Sequence, residues 1–360
     1  MGFDVEYRHL VGMRREFLSL TGARLPIVQA PMAGSSGVAL AVAALRAGAI
    51  GSLPCALLSP DQLRQQVAEV RAQADGPLNL NFFCHRLGSP PDESAWRETL
   101  ARFYAEEGVG PPANPPPLRA PFDDALCAAV EEVKPQIVSF HFGLPAPELL
   151  ARARATGALI FGNATTIAEA RYLAAQGVDA IIAQGSEAGG HAGHFLAGHH
   201  PVGTMALVPQ IVDAVTVPVI AAGGIGDARG IAAALLLGAT AVQLGTAYLH
   251  TPESLISATH RARLAGPEAE DTVFTNLFTG GLARGMRNRL VNELGAVHPA
   301  APPFPYASAA LAELRRVSEA DYANFWAGQA APLGSAEPAQ ALTERLAREA
   351  MALLEQTHAA

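Results

Sequence analysis

An alternation of short apolar runs with alanine-rich helical stretches constrains the fold of this chain more than any other feature of its sequence. Parallel strands need long crossover connections, which are usually helices, and eight such strand–helix units close into a barrel. The pattern therefore predicts an α/β fold of the TIM (β/α)₈ barrel type, with an open doubly wound sheet as the alternative. The predicted strands are residues 25–29, 49–52, 78–83, 136–140, 158–161, 180–183, 218–222 and 241–244.

The length of the chain predicts a second, smaller unit. A barrel takes ~250 residues, and this chain has 360. Residues 1–250 are expected to form the barrel, and a C-terminal helix within 331–360 is expected to rejoin it. Residues 251–330 contain helical segments without a strand rhythm, so they predict a smaller helical subdomain that covers or binds the substrate. Residues 108–121 are rich in proline and predict a stiff surface loop before the fourth strand.

Composition narrows the class of function. The formal net charge is −8 and no block of lysine or arginine stands out, which argues against nucleic acid and anionic membrane surfaces as partners. No apolar stretch reaches the ~20 residues of a membrane span, and the N-terminus lacks the pattern of a signal peptide. The three cysteines form no CxxC pair and are typical of reduced thiols. A cytoplasmic enzyme acting on small molecules is the class that remains.

Glycine and polar residues follow seven of the eight predicted strands, at the end where barrel enzymes carry their active sites. Gly223 and Gly224 follow the seventh strand, and Gly245 and Thr246 follow the eighth. Glycines let backbone N–H groups approach an anion, and barrels often build a phosphate site after these two strands. Asp227 stands where a helix N-cap belongs and is interpreted as structural.

Two histidines are the candidate acid–base groups. His191 lies in a glycine-rich loop after the sixth strand, and His141 ends the fourth strand, so both are expected to face the same cavity. A metal site is the alternative, but the only carboxylate in the loop is Glu187, and no metal is predicted. The further histidines that could serve as ligands are His194, His199 and His200.

Three other side chains are candidates for contact with a flat aromatic ligand. The Met32 thioether can pack on a ring face, although plain core filling would also explain it. Asn81 and Gln184 can bond ring amides and carbonyls, as a flavin would require, or can instead satisfy loop backbone. Candidates to cover the cavity from the appended segment are Tyr306, Trp326 and Gln329.

Taken together, several motifs resemble the nitronate monooxygenases, formerly called 2-nitropropane dioxygenases. The most specific is the Glu-Ala-Gly-Gly-His loop that ends at His191. The Ser-Phe-His-Phe-Gly run at 139–143 and the Trp-Ala-Gly-Gln run at 326–329 are similar to the class I branch. The other motifs that carry the resemblance are residues 26–32, 184–191, 221–225 and 243–246.

The resemblance implies a non-covalently bound FMN and oxidation of alkyl nitronates, such as propionate 3-nitronate, by O₂ to a carbonyl compound and nitrite. It implies that His191 is the catalytic histidine, with His141 nearby. Arg284 and Arg287 fall in a stretch similar to the family's, but neither receives a role. The residues expected at the cofactor are Ala30, Pro31, Met32, Asn81, Gln184, Gly189, Gly190, Gly223, Gly224, Gln243, Leu244, Gly245 and Thr246.

Two rival functions stay open at this point. The closest is an NAD(P)H-dependent flavin reductase, acting on an enoyl thioester or a quinone, because such reductases share the barrel. The other is a non-catalytic flavin-binding or sensory protein. The sequence also leaves open whether the chain forms a homodimer.

Overall fold

The computed structural model describes residues 2–112, 118–196 and 198–359, and eight of its strands form a parallel barrel. All its strands are β1 (Ile27–Gln29), β2 (Gly51–Pro54), β3 (Leu78–Phe83), β4 (Ile137–His141), β5 (Leu159–Ala164), β6 (Ala180–Gln184), β7 (Gly190–His191), β8 (Val219–Ala222), β9 (Ala241–Leu244), β10 (Thr272–Thr275) and β11 (Ala283–Met286). The barrel order is β1-β9-β8-β6-β5-β4-β3-β2. Val28 bridges to Ile50 in parallel, which closes the sheet and rules out the open doubly wound alternative.

Helices connect the barrel strands, and several begin at side-chain caps. Ser59 and Gln62 form a capping box at the start of α3 (Pro60–Arg71), and Asp123 and Thr166 cap α5 (Asp124–Val133) and α7 (Ile167–Ala175). None of the helices in the described ranges is both long and apolar enough to span a bilayer. The helices are α1 (Gly2–Thr21), α2 (Val38–Ala47), α3 (Pro60–Arg71), α4 (Ser94–Glu106), α5 (Asp124–Val133), α6 (Pro147–Ala155), α7 (Ile167–Ala175), α8 (Thr204–Val212), α9 (Ala228–Leu236), α10 (Thr246–Leu249), α11 (Ala258–Ala265), α12 (Arg289–Leu294), α13 (Ala312–Val317), α14 (Glu319–Tyr322) and α15 (Ala339–Ala359).

The barrel strands are buried on both faces, as the sequence predicts for strands inside a ring of helices. A small cluster fills one end of the barrel interior, and it includes Ile137, Phe161 and Ile220. Phe17 from α1 packs into this cluster, with its ring centroid 6.3 Å from that of Phe161. The sequence analysis did not identify α1, which contributes to the end of the barrel remote from the strand C-termini.

The C-terminal helix α15 packs against α2 and α9, beside the seam between the first and last barrel strands. Leu342 and Leu346 are buried in the same core as the barrel helices, and the Thr343 hydroxyl lies 2.7 Å from that of Tyr248. Chain order therefore places residues 251–338 as an insertion between the last barrel strand and the helix that completes the outer ring.

Residues 251–330 contain the predicted helical segments and also two strands, so the description of this segment as helical is incomplete. Strands β10 and β11 pair antiparallel, and β11 also pairs with β7 from the loop after β6. Ala283 is the partner of His191 in this small sheet, and Arg284 is the partner of Gly190. Thr272 and Thr275 flank the apolar pair of β10, and Arg284 and Gly285 interrupt β11, so neither strand is the short apolar run that marks the barrel strands.

Candidate active site

A cavity of about 180 Å³ lies at the C-terminal ends of the barrel strands. Both predicted histidines and almost every residue predicted at a cofactor line it. The exception is Leu244, whose side chain is fully buried in the core while its carbonyl accepts the Ala30 N–H. The predicted residues that line the cavity are Ala30, Pro31, Met32, Asn81, His141, Gln184, Gly189, Gly190, His191, Gly223, Gly224, Gln243, Gly245 and Thr246.

One part of the cavity wall is made of glycine turns. Gly223 and Gly224 have φ of 104° and 69°, a region that favours glycine. A Cβ at Gly223 would lie 2.9 Å from the Ala188 nitrogen, so no larger residue fits without a shift. The Thr246 hydroxyl accepts the Gly328 N–H at 2.9 Å and can still donate its own proton. Bare backbone and a free O–H donor suit an anion such as a phosphate.

Asp227 caps α9, as the sequence predicts. Its carboxylate accepts the N–H groups of Arg229 and Gly230 and forms an ion pair with the Arg229 side chain. Hydrogen bonds to Arg229 oppose the effect of burial and lower the pKa of Asp227. The first turn of α9 therefore already has an anion, and the glycine turns before it carry the argument for a phosphate site.

Gln243 leaves an unsatisfied acceptor in the cavity wall. Its Oε1 is buried and has no hydrogen-bond partner among the described residues. A buried amide oxygen without a donor is costly, so it calls for an N–H or O–H from a bound molecule. Met32 places its sulfur 3.7 Å from where a Cβ of Gly245 would stand, beside the same wall. An unmatched acceptor, a thioether and glycine turns fit a flavin with a phosphate tail.

Gln184 chiefly holds the loop that carries His191. Its Nε2 donates to the His191 carbonyl at 2.8 Å, and its Oε1 accepts from Gly193 N–H at 2.9 Å and from Asn163 Nδ2 at 3.0 Å. Asn81 is similarly engaged, since its Nδ2 donates to the Ser139 hydroxyl at 2.9 Å. In this structure, both amides therefore bond to neighbouring protein groups and order the loops around the cavity.

The position of His191 is fixed from two sides. Its backbone belongs to β7, which pairs with β11, and its Nε2 lies 2.9 Å from the Thr279 hydroxyl. Thr279 points its own donor toward the Gly281 carbonyl at 3.4 Å. This arrangement favours the tautomer in which Nε2–H donates to Thr279 and Nδ1 keeps the free lone pair.

Aromatic rings surround His191, which stays partly exposed to the cavity. The nearest ring centroids lie at 5.0 Å for Phe304, 5.7 Å for Trp326 and 6.0 Å for Phe142. Burial lowers the pKa of His191 well below its usual 6.5, and the positive charge of Arg119 lowers it further. The imidazole is therefore neutral near pH 7 and can accept a proton.

His141 is a second neutral imidazole in the same wall. It ends β4, and burial lowers its pKa to about 4. The next residue, Phe142, has a φ of 66°, and its ring centroid stands 4.5 Å from that of His141. A Cβ at Gly193 would lie 2.6 Å from His141 Cε1, so the loop after His191 passes directly over this ring.

The residues of the inserted segment that were candidates for the site lie in different places. Trp326 lines the cavity, Tyr306 is buried with its hydroxyl donating to the Gly88 carbonyl at 2.8 Å, and Gln329 is exposed. Arg284 lies outside the cavity wall and donates to the Ser186 carbonyl at 2.7 Å. Arg287 forms an ion pair with Asp271. Only Trp326 of these five residues contacts the site.

Arg119 lines the cavity and was not predicted from the sequence. It follows the proline-rich stretch, of which residues 113–117 lie outside the described part of the chain. A proline-rich loop gives no local sign that its last residues reach an active site. The histidines considered as metal ligands make no such site: within the described ranges, no three His, Cys, Asp or Glu residues are arranged to hold a metal ion.

Comparison with known proteins agrees with this geometry. A family model described as nitronate monooxygenase matches residues 15–349. The chain belongs to the nitronate monooxygenase family. A nitronate monooxygenase from Paraburkholderia phytofirmans is 43% identical over 355 residues, covering 95% of this chain and 97% of that relative. One from Pseudomonas aeruginosa is 41% identical and covers 94% of this chain and 99% of that relative.

The solved structures give the same answer for the fold. A structure described as nitroalkane oxidase from Streptomyces ansochromogenes superposes with a TM-score of 0.86 at 36% identity, covering 95% of this chain and 99% of that one. The predicted family and the predicted barrel are therefore confirmed. Membership makes this chain an enzyme of a flavin-dependent oxidoreductase family.

Proposed function

We propose that this chain oxidises alkyl nitronates with O₂ to a carbonyl compound and nitrite, with FMN as its cofactor. The observation that carries the proposal is the neutral, aromatic-enclosed His191 in the same cavity as the glycine turns and the unmatched Gln243 oxygen. A site of this kind offers a place for a flavin and a base beside it. The relatives' names point to the same substrate class.

The cofactor would be held mainly by backbone and by uncharged side chains. Gly223, Gly224 and Thr246 would face the phosphate, while Gln243 would accept a ring N–H and Met32 would pack on the ring. When bound, FMN supplies the redox chemistry of the reaction, and the protein supplies binding, orientation and electrostatics. FMN rather than a larger flavin nucleotide is our inference from the resemblance.

His191 would do different work on the two forms of the substrate. A neutral nitroalkane must lose its α-proton, and the free Nδ1 of His191 is the acceptor that the Thr279 contact leaves available. A nitronate has already lost that proton, so His191 would only orient it. The aromatic rings around His191 would exclude bulk water from the reacting carbon.

The pH dependence of nitroalkane oxidation tests the state of His191. A base works only when unprotonated, so kcat/KM falls as pH drops through its pKa. Because burial moves that pKa well below 6.5, we expect kcat/KM for nitroethane to stay level as pH falls from 7 through 6.5 and to decline only at lower pH. Initial rates of O₂ consumption over this range measure it. An acid limb centred at or above 6.5 would contradict the neutral enclosed histidine.

Anaerobic mixing separates the proposed function from the flavin reductase. We expect propionate 3-nitronate to bleach the flavin absorbance of the enzyme rapidly, and NADH and NADPH to bleach it far more slowly. Stopped-flow absorbance of the purified holoenzyme is the measurement. Rapid bleaching by a pyridine nucleotide without bleaching by the nitronate would overturn the proposal, and steady O₂ consumption with the nitronate would exclude a non-catalytic flavin protein.

We also place the enzyme in the cytoplasm, acting on the nitronate and O₂ as its small-molecule partners. Cys55, Cys84 and Cys127 are all free thiols, which supports a reducing compartment. A homodimer is our expectation for its assembly, and size-exclusion chromatography with light scattering would test it.

A further inference from the structure

One arginine side chain in the cavity wall has no partner among the described residues. Within those residues, the guanidinium of Arg119 forms no ion pair with a carboxylate, and its buried Nε has no hydrogen-bond partner. The backbone carbonyl of Arg119 lies 3.1 Å from His85 Nε2. Burial lowers the pKa of Arg119, but arginine stays protonated in proteins, so the cavity carries an uncompensated positive charge.

A second, partly buried cation outside the cavity lining lies close enough to Arg119 to repel it. Arg315 donates to the carbonyl of Phe278 at 3.1 Å, and it has no ion-pair partner within the described ranges. Burial lowers its pKa to about 10, and repulsion from Arg119 contributes. Glu187, a carboxylate of the cavity wall, is already bonded to the N–H and O–H of Thr204 at 2.9 Å. Buried charge without a counterion is costly, so this region favours an incoming anion.

A phenylalanine ring of the cavity wall lies between His191 and the histidine that contacts the Arg119 backbone. The Phe83 ring lines the cavity, with its centroid 6.2 Å from that of His191 and 6.3 Å from that of His85. His85 is in turn bonded to the Arg119 backbone. The wall therefore runs from a neutral base, across an apolar patch, to the segment that carries a free guanidinium. This order matches a short aliphatic molecule that reacts at one end and is anionic at the other.

We propose that Arg119 is a specificity-determining residue that binds a carboxylate at the end of the substrate remote from the nitronate carbon. Guanidinium and carboxylate pair through two parallel hydrogen bonds, which would also orient the chain of the substrate. The enzyme then prefers nitronates that carry a carboxylate to those with an uncharged tail. This inference rests on the proposed function and adds the group that selects among its substrates.

Two nitronates and two variants test the proposal. In Arg119→Gln, kcat/KM for propionate 3-nitronate should fall about 10- to 100-fold, the loss expected for a hydrogen-bonded charged group. The kcat/KM for propyl 1-nitronate, which has an uncharged tail, should change less than about 3-fold, because this tail has no carboxylate to bind Arg119. Arg119→Lys keeps the positive charge but cannot form two parallel hydrogen bonds, so its kcat/KM for propionate 3-nitronate should lie between those of wild type and Arg119→Gln. Equal losses on both nitronates, or no loss on either, would overturn the proposal.

A binding measurement tests the anion site independently of the oxidation reaction. Butyrate carries the carboxylate without a nitro group, and calorimetry of the purified holoenzyme gives its Kd in wild type and in Arg119→Gln. We expect the variant to bind butyrate at least about 10-fold more weakly. Equal butyrate affinity in both proteins would refute the role of Arg119, whatever the enzyme oxidises. Weaker butyrate binding in an enzyme that oxidises neither nitronate would support the anion site and reject only the proposed function.

Discussion

Replacing His191 by alanine is expected to lower kcat/KM for nitroethane about 10²- to 10⁴-fold, the range in which a positioned general base contributes. The imidazole is neutral, enclosed by aromatic rings and held by Thr279, so no other described group in the cavity is equally poised to take the α-proton. With ethyl nitronate, which has already lost the acidic α-proton, the fall in kcat/KM should be much smaller. Initial rates of O₂ consumption with each substrate measure the difference.

His200 provides the matched control for this variant. It lies in the same glycine-rich stretch but is exposed, and it does not line the cavity. His200→Ala should therefore keep the wild-type rate on both substrates. If His191→Ala oxidised nitroethane at the wild-type rate while retaining its flavin, the assignment of the base would be wrong. A loss of equal size on both substrates would indicate a role in binding instead.

Gly223→Val is expected to weaken FMN binding by about 100-fold or more, which corresponds to the loss of roughly two charge-assisted hydrogen bonds. Gly223 has a φ of 104°, where a β-branched residue is strained, and its Cβ would lie 2.9 Å from the Ala188 nitrogen. The turn must then move away from the phosphate position. Titration of FMN into the apoprotein, followed by quenching of flavin fluorescence, gives the Kd.

The control for this glycine is Gly198→Ala. Gly198 has no neighbouring atom within 4 Å of an added Cβ and does not adopt a positive φ. That variant should bind FMN like wild type and should unfold at the same temperature. Wild-type FMN affinity in Gly223→Val, with circular dichroism showing a folded barrel, would remove the glycine turn from the phosphate site.

Features that depend on local sequence were predictable here. Each barrel strand is a short apolar run between turn residues, and the predicted segments overlap the observed strands, with 78–83 and 241–244 matching strands β3 and β9 at both ends. The glycine turns at Gly223 and Gly224 could be located because a strand, a tight turn and a capped helix leave a continuous local signature.

Features that depend on contacts between distant parts of the chain could not be predicted from the sequence. Arg119 lines the cavity and comes near the end of a proline-rich stretch of sequence, and Thr279 and Phe304 come from the inserted segment. Nothing in their local sequence shows that they meet His191, because the contact is made between distant parts of the chain. The β7–β11 pairing is similar: a two-residue strand of glycine and histidine has no hydrophobic period to detect.

The insertion at residues 251–338 leaves and re-enters the barrel at nearly one point. The Glu253 carboxylate accepts the N–H of Ala339 at 3.0 and 3.1 Å, which ties the start of the insertion to the start of α15. An insertion whose two ends lie together can be replaced without interrupting the barrel. Evolution could therefore change the substrate by replacing this insertion while the glycine turns of the barrel stay the same. Grafting the corresponding insertion of a relative onto this barrel would reproduce such a change in the laboratory.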